Sequence, residues 1–318
     1  DGNCRLRVDR RVIDLRASTL PGVHGEITVF RVLTRDTTLQ KLEALGFEPD
    51  TLQAYNRLLH DPHGMILVTG PTGSGKTTTL YASVNQRNTD SVNIITVEDP
   101  VEIRLPGVNQ VQVEERAGRT FAGTLRAMLR QDPDIIMVGE IRDAETAEIA
   151  CRAALTGHMV LSTLHARHAL GTIARLADMG VPRYPLAACL NGIMAQRLLR
   201  RVCEECAQPY ELPAGVRDLL EQRFGDLQEA TFRKGTGCAA CHRTGFHGRI
   251  GIYELVTVDE RLRRMLADGA SRRRLKAHAD DCGFRTMESD AFRKAARGVI
   301  CPEEVLRLSS WSDEEDEP

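Results

Sequence analysis

The stretch Met65-Ile66-Leu67-Val68-Thr69-Gly70-Pro71-Thr72-Gly73-Ser74-Gly75-Lys76-Thr77 decides the fold of this chain. Its second half has the spacing G-x-x-x-x-G-K-[ST], which is the pattern of a phosphate-binding loop. Its first half is short and apolar, as a buried parallel strand should be. The residues that follow, 77–85, are compatible with a helix whose N-terminus would attract an anion. Strand, loop and helix in this order predict a nucleotide-binding α/β domain.

The residues of this loop have separate predicted roles. Glycines allow backbone N–H groups to turn toward phosphate oxygens that side chains would otherwise block. Lys76 is expected to contact the β- and γ-phosphates, and Thr77 is expected to offer its hydroxyl to Mg²⁺. The predicted nucleotide-binding residues are Gly70, Pro71, Thr72, Gly73, Ser74, Gly75, Lys76, Thr77 and Thr78.

The composition is that of an ordinary globular chain. Of its 318 residues, 42% are hydrophobic and 27% are charged, and the formal net charge is −2. This near-neutral charge does not indicate nucleic acid or an anionic membrane as a partner. Aromatic residues make up only 4%, so extensive base-stacking surfaces are not expected. No apolar stretch approaches the ~20 residues that a membrane-spanning helix requires.

Short apolar runs alternate with helical patterns between residues 62 and 200. The runs are Met65–Val68, Ile94–Val97, Ile135–Val138 and Met159–Leu161, and the helical candidates cover residues 77–87, 120–131, 143–155 and 169–179. This alternation predicts a parallel sheet covered by helices on both faces. Polar functional residues are then expected at the C-terminal ends of the strands.

Two of these strands run directly into acidic residues. Glu98 and then Glu102 follow the second run, and Glu140 follows the third. An apolar strand that ends in a glutamate is typical of the Walker-B position, which organises Mg²⁺ or the attacking water. Strands also end in polar turns that have no catalytic meaning. Two such ends after a phosphate loop nevertheless favour the functional interpretation.

A histidine follows the fourth apolar run and is a further candidate. His165 lies just beyond the strand, where its ring is expected to contact a γ-phosphate, whereas His158 precedes the strand. A lone histidine is more often structural than functional. Its position at a strand end favours His165 over His158.

Nine cysteines are present, and four of them form two C-x-x-C pairs. Cys203 and Cys206 are separated from Cys238 and Cys241 by 31 residues. Four thiolates in two such pairs predict a closed tetrahedral Zn²⁺ site with a structural role, and His242 is a less favoured ligand. A redox role is a weaker interpretation, because redox motifs do not usually occur as distant pairs. The cysteines interpreted as ordinary thiols are Cys4, Cys151, Cys189, Cys282 and Cys301.

Together these motifs resemble the secretion ATPases of the type II secretion and type IV pilus assembly class. The resemblance extends over residues 1–308, and residues 14–26 match the end of the family's second N-terminal domain. Its most specific parts are Gly70–Thr79, Thr96–Glu102, Arg130–Asp134 with Gly139–Asp143, Thr156–His165 and Ala195–Leu198.

The resemblance implies a hexameric, Mg²⁺-dependent ATPase that hydrolyses ATP on the cytoplasmic face of the inner membrane. The implied partners are further copies of the chain, an inner-membrane platform protein and the cytoplasmic domain of a membrane assembly protein, without nucleic acid. Hydrolysis would drive domain motions that act on this platform. Because assembly-type members carry the tetracysteine module and retraction ATPases lack it, we favour secretion or assembly over retraction.

The resemblance also assigns roles to individual residues. It implies that Glu140 is the Walker-B acid and that Glu102 activates water, with Glu98 in the same acidic segment. The choice of general base between Glu102 and Glu140 stays open. His165 would contact the γ-phosphate. The arginines that would reach the nucleotide from the N-terminal domain are Arg16 and Arg31.

The expected fold is an α/β RecA-like core with a parallel sheet and added domains. We expect residues 1–35 to be the C-terminal part of a PAS-like N-terminal domain, with a further N-terminal portion in the full protein. The other expected segments are a linker at 36–60, the ATPase domain at 61–200, the tetracysteine zinc module at 201–255, a helical C-terminal domain at 256–308 and an acidic disordered tail at 309–318.

Two other functions remain compatible with the sequence. One is a RecA-like nucleic-acid motor that grips DNA with its zinc module, which the near-neutral charge and scarce aromatic residues disfavour. The other is a regulator of a membrane machine that senses nucleotide without hydrolysing it. Hydrolysis by an assembled hexamer would exclude this second alternative.

Overall fold

We describe residues 2–8, 11–34 and 39–309 from a computed structural model of the protein. The first segments form an antiparallel sheet in the order β1-β2-β3. Its strands are β1 (Gly2–Val8), β2 (Arg11–Gly22) and β3 (Gly25–Thr34). The acidic tail lies outside the described residues from position 310 onward.

A mostly parallel sheet forms the centre of the molecule. Its strands, and the short hairpin β10–β11 beside it, are β4 (Gly64–Thr69), β5 (Ile94–Glu98), β6 (Asn109–Gln112), β7 (Ile135–Val138), β8 (Met159–Leu164), β9 (Leu190–Val202), β10 (Ala207–Pro209), β11 (Arg233–Gly235) and β12 (Phe246–Thr257). The order across the sheet is β12-β9-β4-β8-β7-β5-β6. All neighbours are parallel except β12 and β9, which are antiparallel. The predicted α/β class is therefore confirmed.

Helices cover both faces of this sheet. They are α1 (Pro49–Leu59), α2 (Lys76–Arg87), α3 (Phe121–Met128), α4 (Ala144–Leu155), α5 (Ala169–Asp178), α6 (Arg183–Cys189), α7 (Ala214–Phe224), α8 (Glu260–Ala267), α9 (Arg272–Asp281), α10 (Met287–Ala296) and α11 (Pro302–Ser309). Within the described ranges, none of these helices is long and apolar enough to span a bilayer.

The strand β4 shows why both faces must be covered. Every residue of this strand is buried, and successive side chains point to opposite faces of a sheet. Ile66 and Val68 belong to the cluster that contains apolar residues of α1 and α2. Met65 and Leu67 belong to the cluster formed with α3, α4, α6 and the C-terminal helices. A continuous apolar run is therefore buried on both of its sides.

Capping residues define the ends of helices α3 and α4. The Asp143 carboxylate accepts a hydrogen bond of 2.8 Å from the Thr146 amide and so caps α4. Thr120 caps α3 in the same way, with a bond of 3.1 Å from the Gly123 amide. Gly157, at a φ of 111°, follows the end of α4.

The structure differs from the sequence-based expectation mainly between residues 39 and 59. A short 3-10 turn, Leu42–Ala44, lies in this segment. The segment interpreted as a linker also contains α1, whose Tyr55 and Leu59 are buried against the sheet. The predicted helix over 120–131 is likewise shorter and ends at Met128.

Candidate nucleotide-binding site

The phosphate-binding loop connects the end of β4 to the start of α2. Gly75, at a φ of 90°, immediately precedes α2 and adopts a left-handed conformation that favours glycine. Gly70 is required for a second reason, because a Cβ atom there would lie 2.4 Å from the carbonyl oxygen of Gln196. The loop therefore packs against β9 at a distance that only glycine permits.

Lys76 folds back over this loop. Its Nζ donates hydrogen bonds to the carbonyl oxygens of Gly70, at 2.9 Å, and Pro71, at 3.2 Å. Burial lowers the pKa of Lys76, while the negative charge of Glu140 opposes this shift. The ammonium group is thus held within the loop, where the residue type and its charge fit a phosphate group.

The loop carries one polar atom that the protein does not satisfy. Ser74 is buried, and its Oγ has no hydrogen-bond partner among the described residues. Such an orphaned hydroxyl fits a ligand oxygen, because an unpaired buried polar group is otherwise costly. Thr77 and Thr78 are exposed at the first turn of α2, beside the loop, as are Pro71, Thr72 and Gly73 within it.

Gln196 supports the loop from β9, a role that the sequence did not reveal. Its side chain is buried and donates a hydrogen bond of 2.7 Å to the carbonyl oxygen of Ser74. It also accepts one of 2.8 Å from the Thr79 hydroxyl on α2. The only sequence signal for Gln196 was its place in the segment 195–198, which resembles the family. Its contact residues lie 117 and 122 positions away in the chain.

Glu140, beyond the end of β7, lies among cationic groups. Its Oε1 accepts a hydrogen bond of 2.6 Å from Arg142, which also lies 3.3 Å from Asp99. The Oε2 atom is 3.5 Å from Nε2 of His165, which follows β8. The adjacent parallel strands β7 and β8 bring the predicted acid and the predicted histidine together. His158 instead approaches the carbonyl oxygen of Ala153 at 2.9 Å.

The carboxylate of Glu140 is held in its charged form. Burial raises the pKa of Glu140, whereas the hydrogen bond and charge of Arg142 lower it. His165 and Lys76 act in the same direction, so the pKa of Glu140 lies below its ordinary value. An ionised carboxylate beside the phosphate loop is suited to a divalent cation.

Glu98, at the end of β5, is engaged inside the protein. Its Oε1 accepts hydrogen bonds from the Thr96 hydroxyl at 2.5 Å and from Gln110 Nε2 at 3.0 Å. Its Oε2 accepts a hydrogen bond from the hydroxyl of Tyr81 on α2. The side chain is 3% exposed, so these contacts fill the surroundings of its two oxygens.

Tyr81 connects Glu98 to the segment that carries Glu102. The Tyr81 hydroxyl accepts a hydrogen bond of 3.1 Å from the Glu102 amide and a longer one of 3.4 Å from the Ile103 amide. Burial raises the pKa of Tyr81, and Glu98 raises it further, so the hydroxyl remains a donor to the carboxylate. The side chain of Glu102 itself is exposed.

The two arginines predicted from the N-terminal domain lie in the first sheet. Arg16 in β2 and Arg31 in β3 are directly opposite in the register of these antiparallel strands. Arg31 is exposed, and among the described residues no hydrogen bond or ion pair joins it to the phosphate loop. The strand register therefore places these two positions side by side in the N-terminal sheet.

The four paired cysteines converge as predicted. Their Sγ atoms are separated by 3.8 Å between Cys203 and Cys238, by 3.9 Å between Cys206 and Cys241, and by 3.7 Å between Cys238 and Cys241. Zn–S bonds of about 2.3 Å in a tetrahedron place sulfur atoms roughly 3.8 Å apart. The thiols therefore fit one Zn²⁺ ion, and His242 is not part of the cluster.

Backbone amides around the cluster favour the thiolate of Cys241. The Cys238 amide donates a hydrogen bond of 3.2 Å to Cys241 Sγ and lowers the pKa of this thiol to about 6, with a further bond from Gly245. Gly245 also faces Gly235 so closely that a Cβ on Gly235 would lie 2.1 Å from the Gly245 oxygen. Tight backbone packing of this kind shapes a compact metal-binding knuckle.

Comparison with known proteins identifies similar chains. Residues 1–307 match the family described as "Type II/IV secretion system protein". The chain is 46% identical to type II secretion system protein HxcR of Pseudomonas aeruginosa over 309 residues, which are 97% of this chain and 62% of that protein. It is also 46% identical to type IV pilus assembly ATPase PilB of the same species over 312 residues, covering 97% and 55%. The chain thus spans 62% or less of the length of these two relatives.

A solved structure shares the arrangement of the whole chain. The crystal structure of the pilus retraction motor PilT with bound ADP superposes with a TM-score of 0.69 at 30% identity. The match covers 98% of this chain and 78% of that one. The similarity thus includes the described N-terminal sheet as well as the central sheet and the helices around it.

Proposed function

The chain belongs to the type II/IV secretion system protein family, and we propose that it is the ATP-hydrolysing part of a motor for type II secretion or type IV pilus assembly. The observation that carries this proposal is the phosphate-binding loop. Its glycines pack on β9, Lys76 lies over it, and the Ser74 hydroxyl has no partner among the described residues. A similar chain, PilT, was solved with ADP, which supports a nucleotide as the ligand.

The residues around the loop fit hydrolysis of ATP. Lys76 neutralises charge on the β- and γ-phosphates, while Thr77 and the ionised Glu140 are the residues that would hold Mg²⁺. Bound Mg²⁺ would supply charge stabilisation at the transferred phosphoryl group. His165, 3.5 Å from Glu140, would contact the γ-phosphate.

We assign the general base to Glu102. Its side chain is exposed, while Tyr81 holds its backbone amide, so the carboxylate is both positioned and free to approach water. Glu140 is engaged by Arg142, and Glu98 is enclosed by its donors. Glu98 would therefore act by holding the Glu102 segment in place.

The motor operates as a hexamer in this proposal. Arg16 and Arg31 lie opposite each other in a separate sheet, so domain rotation would be needed to deliver them to a nucleotide. Arginines delivered in this way stabilise charge in the transition state of phosphoryl transfer. Successive closing and opening around the ring would produce motion.

The tetracysteine cluster supports secretion or assembly rather than retraction. We propose that Cys203, Cys206, Cys238 and Cys241 hold a structural Zn²⁺ ion, since four thiols leave no open coordination position. The proposed partners are an inner-membrane platform protein and the cytoplasmic domain of a membrane assembly protein. The chain would then work in the cytoplasm, held peripherally at the inner membrane, without nucleic acid.

Lys76→Ala tests this proposal directly. We expect the steady-state rate of phosphate release from MgATP to fall by roughly two orders of magnitude or more, because the lysine ammonium group that stabilises the transferred phosphate is lost. Lys41→Ala, which alters an exposed lysine, is the matched control and should keep the wild-type rate. Equal hydrolysis by Lys76→Ala and the control would refute the assignment of the loop.

A further inference from the structure

Three potential metal ligands of different types meet between α8 and α9, away from the tetracysteine cluster. Nε2 of His278 lies 2.8 Å from Oδ2 of Asp259. The Sγ atom of Cys282 is 3.6 Å from the same Oδ2 and 3.7 Å from the same Nε2. Oxygen, nitrogen and sulfur thus form the corners of one small triangle.

The separations in this triangle are close to those of a tetrahedral metal site. Bonds of about 2.0 Å from zinc to nitrogen or oxygen and about 2.3 Å to sulfur place the ligand atoms roughly 3.3–3.5 Å apart. The two distances from sulfur already agree within a few tenths of an ångström. Only the distance between Asp259 and His278 must lengthen to admit an ion.

The side chains are placed by elements that leave the ligand atoms available. His278 and Cys282 are four residues apart at the C-terminal end of α9, so both lie on one face. Asp259 caps α8 through Oδ1, which accepts a hydrogen bond of 2.6 Å from the Leu262 amide and also lies 3.0 Å from His278 Nε2, while its Oδ2 contacts both His278 and Cys282. A cation is also favoured where helix carbonyl groups end.

A hydrogen bond between aspartate and histidine alone does not account for this arrangement. Such a bond requires two groups, whereas a third, metal-binding group lies at similar distances from both. His278 is 8% exposed, and its Nδ1 has no hydrogen-bond partner among the residues that the structure describes, so the ring makes its polar contacts through Nε2. Cys282 and Asp259 are exposed, which gives an ion access and leaves a position for water.

We propose that Asp259, His278 and Cys282 form a second site for a divalent transition metal of the Zn²⁺ type. A thiolate, an imidazole and a carboxylate are the ligands that zinc prefers, and three protein ligands leave a fourth position open. The ion would connect the start of α8 to the end of α9. This site is independent of the proposed ATPase activity.

Metal content of the full chain tests the site. After equilibrium dialysis against micromolar Zn²⁺, we expect wild-type protein to hold one equivalent more than His278→Gln. His247→Gln changes an exposed histidine in β12 and should match the wild type. The readout is this difference of one equivalent, so it does not depend on occupancy of the tetracysteine cluster. Equal zinc content in all three proteins would overturn the proposal.

Alkylation of Cys282 gives a second readout that needs no variant. Zn²⁺ should slow modification of Cys282 by iodoacetamide by roughly tenfold, because a metal-bound thiolate is a poor nucleophile. Cys4, which is also exposed, serves as the internal reference in the same digest and should be unaffected. Equal effects of Zn²⁺ on the two cysteines, or no effect on Cys282, would contradict the site.

Discussion

Tyr81 is the residue that ties the phosphate-binding loop to the acidic segment. It lies on α2, the helix that follows the phosphate-binding loop. Its hydroxyl donates a hydrogen bond to Glu98 and accepts one from the amide of Glu102. One hydroxyl on α2 thus connects the buried Glu98 carboxylate with the backbone of the candidate base. A small shift at this point would displace the Glu102 carboxylate relative to the nucleotide.

Tyr81→Phe should therefore slow hydrolysis while nucleotide binding is kept. Loss of the hydroxyl leaves a buried carboxylate oxygen with one donor fewer, so we expect a stability loss of about 1–3 kcal/mol. The turnover number and the Kd for ATP, measured on the same samples, separate the two effects. Tyr184→Phe removes a hydroxyl from an exposed tyrosine and should change neither quantity. Unchanged turnover in Tyr81→Phe would remove its positioning role.

Arg142 controls the charge of Glu140. Without this cation, burial would dominate and the pKa of Glu140 would rise, so Arg142→Gln should move the acidic limb of the activity profile to higher pH. The measurement is kcat against pH for both proteins. Arg152→Gln is the control, because Arg152 is largely exposed and faces Glu148 at 3.6 Å. An acidic limb at the same pH in Arg142→Gln would contradict the coupling.

The sequence identifies which residues belong to the site better than it identifies the role of each one. The loop and the glutamates at strand ends are local patterns, so a single chain reveals them. Glu98 and Glu102 belong to the same acidic segment, and they are distinguished by burial and by tertiary contacts such as that of Glu98 with Tyr81, 17 residues away. Gln196 was missed because its partners are more than 100 residues distant in the chain.

The strands that are buried at every position were predicted correctly from their sequence patterns. The four apolar runs became strands because a strand buried on both faces carries apolar residues at every position. α1 was missed because its segment is polar on average and its helical character depends on packing against the sheet. β12 pairs with β9 although the segment that carries the four paired cysteines lies between them in the chain. Local sequence patterns do not predict such a pairing.

The segments around the tetracysteine cluster should depend on bound metal for their folded structure. We expect Cys203→Ser to lose one zinc equivalent and to increase hydrogen exchange at residues 203–206 and 238–245, where the cysteines pack against one another. Exchange in α2 should stay as in the wild type. Cys4→Ser, at an exposed cysteine, is the control. An unchanged zinc content in Cys203→Ser would rule out the tetracysteine site.

At the scale of the whole molecule, the proposed activity depends on contacts between copies of the chain. Arg31 is exposed in the N-terminal sheet, and the phosphate loop lies at the end of β4 in the central sheet. A catalytic site that needs both must be completed by rotation of domains or by a neighbouring copy. Local patterns in one chain carry no information on this step, whereas concentration-dependent activity does.

The most direct test is the MgATP hydrolysis rate per subunit, measured against protein concentration with light scattering on the same samples. The account predicts a rate that climbs as hexamers form, because assembly completes the sites. Absence of hydrolysis, or a rate per subunit that stays flat while hexamers assemble, would contradict a motor built on this loop.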